Sequence, residues 1–138
     1  MTLFTADQLV AHAVGDYVVQ SHWMATEKTK QSFAAAVHAA SYALPFLLIT
    51  QSPAALAVII VSHFLIDRYR LARYVVWLKN GPIDFEEYGS IADDVTRWKP
   101  ITATGYPADT PPWLATWLLI IVDNILHVIC NAVAISLL

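Results

Sequence analysis

The sequence predicts an all-α protein, an integral membrane bundle of four transmembrane helices forming one domain over residues 1–138. Three observations lead there. The 138 residues are 57% hydrophobic and only 14% charged, whereas a soluble domain carries about a quarter charged residues. The apolar residues gather into stretches long enough for about four crossings of roughly 20 residues each. The basic residues are confined to two of the connections between those stretches.

The first stretch, Thr5 to Met24, carries His12, Asp16, Gln20 and His22. Its apolar residues Leu9, Val10, Ala13, Val14, Tyr17 and Val18 recur at helical spacing, which predicts a span with one polar, inward-facing stripe. It has no basic leading region or small-residue cleavage site, so it reads as a retained span and not a removed signal. The second stretch, Phe33 to Thr50, is rich in Ala and Leu with Pro45 inside it, and the third runs from Ala54 to about Trp77. The Gln51-Ser52-Pro53 turn joins them as a hairpin, because proline suits the opening turn of a helix but not its interior. Asn80 to Pro112 is the long polar connection, read as an extramembrane cytoplasmic loop in which Trp98 is a headgroup anchor and Asp84, Glu86, Glu87, Asp93, Asp94 and Asp109 supply acid. The fourth stretch, Trp113 to Leu138, is the clearest span, interrupted only by Asp123, Asn124, His127 and Asn131 as strongly polar residues.

All eight Lys and Arg residues follow the first stretch or close the third and enter the loop beyond it. With four spans, the positive-inside rule places both basic connections in the cytoplasm of a bacterial inner membrane and both termini outside. The net charge of −3 and the lack of a basic, aromatic-laced stripe exclude a nucleic-acid partner. One cysteine, Cys130, in an apolar run excludes disulfide stapling. Membrane lipid is the expected partner, and a homo-oligomer is left open.

Asp16, Asp67 and Asp123 each have a histidine four positions away: His12, His63 and His127. On a helix these pairs share a face. His38 adds an imidazole from another helix. Ionisable groups are costly in hydrocarbon and turn toward one another or a cavity, so the seven are expected to converge on a metal site. Mixed imidazole and carboxylate ligation suits zinc first, with manganese or iron as alternatives, as one ion or as two sharing carboxylates. Local His–Asp hydrogen bonds or an interhelical clasp without metal explain the same spacing. Lys28, Arg68 and Arg70 are placed to bind an anionic headgroup, a role that shares its sequence signal with ordinary cytoplasmic anchoring. Gln20 and Asn124 are placed either to hydrogen-bond the site residues or to act as interhelical glue.

The run His12-x2-Gly15-Asp16-Tyr17-x2-Gln20-x3-Met24-Ala25-x2-Lys28, followed by His38, His63-Phe64-Leu65-Ile66-Asp67 and Asp123-x2-Leu126-His127, resembles a family of small bacterial and phage integral membrane proteins of unknown function. It is also distantly similar, by pattern alone, to membrane-bound metal-dependent hydrolases. Asn124 departs from the glutamine expected in the first family. The resemblance implies a membrane topology and importance for His12, Asp16, His38, His63, Asp67, Asp123 and His127. It supplies no reaction.

The expected function is a membrane-embedded metal-dependent hydrolase acting on a lipid or lipid-linked ester at the cytoplasmic leaflet, with Asp16, Asp67 and Asp123 as catalytic carboxylates. Buried acids and imidazoles also suit a proton or metal-ion pathway. A non-catalytic envelope-interaction protein of phage type is a third reading.

Overall fold

The protein is described by a computed structural model covering residues 3–81 and 99–138. Residues 82–98, which include Asp84, Glu86, Glu87, Asp93, Asp94 and Trp98 of the predicted loop, lie outside the described residues. The described residues are helical: α1 (Ala6–Ala13), α2 (His22–Glu27), α3 (Ser32–Tyr42), α4 (Pro53–Tyr69), α5 (Leu71–Lys79) and α6 (Pro112–Leu137). A π-helical turn at Val14–Val19 extends α1, and a 3-10 turn at Leu44–Leu48 follows α3.

The all-α class stands, but the four-span bundle does not. Among the described residues only α6 is long and apolar enough to cross a membrane. The three upstream stretches are broken, each by local chemistry. Pro45, at the start of the 3-10 turn, cannot continue α3 because it lacks an N–H and its ring clashes with the preceding turn. The third stretch splits at Arg70, whose φ of 53° and ψ of 50° are left-handed and end α4. The first is divided by the π-helical turn and by extended backbone at Gln20 and Ser21. The inference that both termini lie outside a multi-pass inner-membrane protein rested on four crossings and loses its basis with them.

The chain divides into two compact units, one of Met1–Leu71 with Asp123–Leu138 and one of Ala72–Val122. In the first, α3 packs on α4, and Ala34, Ala35, Ala39 and Ala55 are fully buried, so small side chains let the backbones approach closely. Ser52 caps α4, its hydroxyl accepting from the Ala55 N–H at 3.3 Å, and Pro53 occupies the first turn, where its missing N–H costs nothing. The apolar core gathers Ala11, Tyr42, Ala43, Phe46, Ile59 and Ala134. In the second unit Val76, Tyr106 and Ala115 are buried together, with Leu118, Leu119 and Val122 against them. Gly105 there has a φ of +79°, and a β-carbon at that position would run into the Arg73 carbonyl, so the turn demands glycine.

Candidate metal centre

The first unit brings residues of three elements to one place. Asp16 comes from the π-helical turn, His38 from α3, and His63 and Asp67 from α4. A π turn carries an extra residue per turn and re-aims side chains, which is why such turns recur at functional sites. His63 and Asp67, four apart on α4, project together.

Four atoms form the centre. His38 Nε2 lies 2.9 Å from His63 Nε2, 3.3 Å from Asp16 Oδ1 and 3.3 Å from Asp67 Oδ2. His63 Nε2 lies 3.0 Å from Asp67 Oδ2 and 3.5 Å from Asp16 Oδ1. Metal–ligand bonds of about 2.0–2.1 Å at tetrahedral angles put ligand atoms about 3.3 Å apart, close to these separations. The four could hold a metal ion. Their side chains are 10% exposed or less, and buried polar atoms demand partners, yet Asp16 Oδ1 has no hydrogen bond within the protein. A shared cation would satisfy all four at once.

Electrostatics prepares two of them as anions. Burial works to raise the Asp67 carboxyl, but hydrogen bonding to His38 and His63 and the positive charge of Lys28 outweigh it and hold it well below the ordinary carboxylate range. Asp16 is lowered in the same way, its contact with the His38 imidazole and the charge of Lys28 helping to overcome burial. Burial pushes the His63 imidazole down to about 4, so it is neutral with a lone pair to give. For His38, burial is outweighed by hydrogen bonds to Asp16 and Asp67, which raise it.

Lys28 Nζ lies 2.9 Å from Asp67 Oδ2 and 3.3 Å from His38 Nε2, and donates to Gln20 Oε1 at 2.9 Å. An ammonium therefore balances the acids at the edge of the centre. Arg68 donates from Nε to Ser32 Oγ at 3.2 Å and from Nη1 to the Thr29 carbonyl at 2.9 Å, tying the α2–α3 connection to α4. Arg70 forms the left-handed end of α4.

His12 stands outside the four-atom group, with both nitrogens engaged. Nε2 meets Asn124 Oδ1 at 2.8 Å and Nδ1 meets the Tyr42 hydroxyl at 2.9 Å. Nδ1 also lies 3.4 Å from Asp16 Oδ2, so His12 backs the carboxylate. Asp123 and His127 form a second group with Asp67, their ligand atoms within 4.8 Å of one another.

Tyr42 escaped the sequence reading. Its ring stacks on His63 with centroids 3.7 Å apart and planes 18° from parallel, fixing the imidazole's orientation, and burial pushes its hydroxyl upward so that it stays protonated. Asn131 Nδ2 donates to that hydroxyl at 2.6 Å. The signal was present: Tyr42 is four residues after His38, and Asn131 four after His127, the spacing already used for the His–Asp pairs. Tyr42→Phe keeps the stack but strands buried His12 and Asn131 groups. It should cost about 1–3 kcal/mol of stability in denaturant unfolding while leaving ion affinity nearly unchanged.

The chain belongs to the DUF3307 family of proteins of unknown function, whose model matches residues 3–138. Neither the curated proteins nor the solved structures include a match to it.

Proposed function

We propose that the protein is a metal-dependent hydrolase acting on a lipid or lipid-linked ester at a membrane surface. The observation carrying this reading is the buried quartet of Asp16, His38, His63 and Asp67, two imidazoles and two carboxylates with ligand atoms at metal-binding separations. A six-coordinate ion such as manganese or iron keeps positions for water and substrate beyond these four ligands, whereas a tetrahedral zinc would be closed by them. Such an ion lowers the pKa of water toward neutrality.

The chain's own groups supply the rest. The water oxygen bonds to the phosphorus or acyl carbon and the bond to the leaving oxygen breaks. A carboxylate that does not ligate the ion takes the water proton, and that proton ends on the leaving oxygen. Lys28, at the edge of the centre, orients an anionic substrate group.

Lipid as the partner is supported by α6. Trp113, Trp117, Ile121, Ile125, Ile129 and Val133 recur every fourth residue and are all exposed. Only 22% of the helix's apolar window is buried, unlike the core helix of a globular domain, and a continuous exposed apolar face of this kind is typical of a membrane-contacting surface.

Elemental analysis of the purified protein should find stoichiometric transition metal, and ester hydrolysis in lipid vesicles should vanish with chelator and with His63→Ala while helicity is kept. Absence of metal under fold-preserving conditions overturns the proposal. Tightly bound metal without turnover on phospho- and acyl-esters would reduce the ion to a structural one.

Binding should also release a proton. Because His38 is raised above the ordinary histidine value, it is protonated at the acid side of neutrality and must lose that proton to ligate. Ion affinity should fall roughly tenfold per pH unit below the His38 value and flatten above it. His63, held at about 4, adds no such dependence near neutrality. Calorimetric titration in buffers of different ionisation enthalpy between about pH 6 and pH 8 measures the released proton directly.

A further inference from the structure

We infer that the centre takes a second cation, held by Asp123 and His127 and sharing Asp67 with the first, and that the resulting pair selects a phosphoryl group as substrate. This rests on the metal-dependent reading above and extends it.

The His127 ring is 1% exposed. Its Nδ1 lies 2.9 Å from the Asp123 carbonyl oxygen and 3.5 Å from Asp123 Oδ2, both of which can only accept, so Nδ1 carries the proton. A backbone carbonyl fixing one nitrogen in this way leaves the other as the ligand. That other atom, Nε2, is buried with no hydrogen-bond partner in the protein. An imidazole lone pair left unpartnered in the interior is costly, and a cation is the ligand that uses it.

The two acids complete the set. Asp67, Asp123 and His127 each offer a ligand atom, for His127 one of its ring nitrogens, within 4.8 Å of one another, and Asp67 also belongs to the quartet, so its two carboxylate oxygens would serve both ions. The Asp123 side chain is 31% exposed against 5% for Asp67, so the second position faces outward and is the one an incoming group meets. With only three protein ligands, it has room for substrate oxygens.

The number of anionic oxygens a substrate offers separates ester classes. An acyl carbonyl presents one oxygen to be polarised, and its hydrolysis runs at one ion or at two. A phosphoryl group presents several anionic oxygens, and two cations bridged by a carboxylate hold two of them together. Lys28, on Asp67, adds a third positive charge beside the same anion.

The test uses manganese as ion and inorganic phosphate as anion, on the full chain. Wild type should bind two ions per chain with an exchange-coupled electron paramagnetic resonance spectrum, the ions being about 3.5–4 Å apart. His127→Gln and, as a second variant, Asp123→Asn should each bind one ion with an uncoupled spectrum, and their phosphate affinity should drop at least about tenfold, the lower end of the losses seen when a metal site is damaged. One ion in wild type, unchanged in both variants, overturns the second site and leaves the first standing. Two ions retained in both variants also overturn it, because the extra ion then lies elsewhere. No ion in wild type overturns the earlier reading itself.

Discussion

Asp67→Asn is expected to abolish tight ion binding and to weaken the fold together. The substitution is nearly isosteric, so packing changes little and the effect isolates charge. Asp67 Oδ2 faces Lys28 Nζ at 2.9 Å, His63 Nε2 at 3.0 Å and His38 Nε2 at 3.3 Å. Loss of a neighbour that merely orients a ligand costs 10–100-fold in metal affinity, so loss of a carboxylate common to both groups of ligands should cost at least about 100-fold. Without ion, Lys28 keeps a mostly buried ammonium with no anion against it. Breaking such a pair by deleting one partner costs about 3–5 kcal/mol, with the lower end expected because the amide still accepts a hydrogen bond.

The pH dependence of that stability gives an independent check. The folded Asp67 carboxyl is held well below its ordinary value, so its stabilising contribution is present above the unfolded value and is lost as pH falls through the folded one. The wild-type protein should therefore lose stability on acidification over a range in which Asp67→Asn stays flatter. Equilibrium unfolding at several pH values, with and without added manganese, reads both effects. A variant that melts with wild type and still binds ion at full affinity would remove Asp67 from the centre.

The parts of this arrangement that could be read from the chain are those that depend on helical period alone. The spacing of His63 and Asp67 places them on one face whatever surrounds α4, and their pairing at 3.0 Å follows. Convergence with Asp16 and His38 follows from the cost of isolated buried charge, a general rule that names no partners. What could not be read was anything set by the ends of helices. Composition showed long apolar stretches but not that Arg70 would turn left-handed or that Gln20 and Ser21 would be extended, and these breaks separate four spans from one. Lys28 shows the same limit. As a residue beyond an apolar run it reads as a headgroup contact, yet the short α2 after Gln20 folds it back onto Asp67. A turn of a few residues decides whether a charge faces outward or inward, and hydropathy averages over it.

Gly15→Ala should be the most damaging substitution that touches no ionisable group. Gly15 lies in the π-helical turn one residue before Asp16. A β-carbon built there would stand 2.6 Å from Tyr42 Cδ2, 3.2 Å from Tyr42 Cε2 and 2.9 Å from the Tyr42 carbonyl oxygen. The ring could be displaced alone, but the carbonyl belongs to the end of α3 and moves only if that helix shifts. Alanine gains about 1 kcal/mol over glycine in helical backbone, and overpacking of this severity costs about 3 kcal/mol, so a net loss of about 2 kcal/mol is expected. The damage should not stop at stability. Tyr42 is the residue stacked on His63, and Gly15 is bonded to Asp16, so the shift reaches the quartet from two sides. Ion affinity should fall at least about tenfold, as it does when the partners that orient ligands are lost. Denaturant unfolding and manganese titration of the variant measure the two consequences separately. Gly15→Ala with wild-type stability and wild-type affinity would show that α3 yields freely at Tyr42, and that the close approach of the π turn to α3 does not hold the centre together.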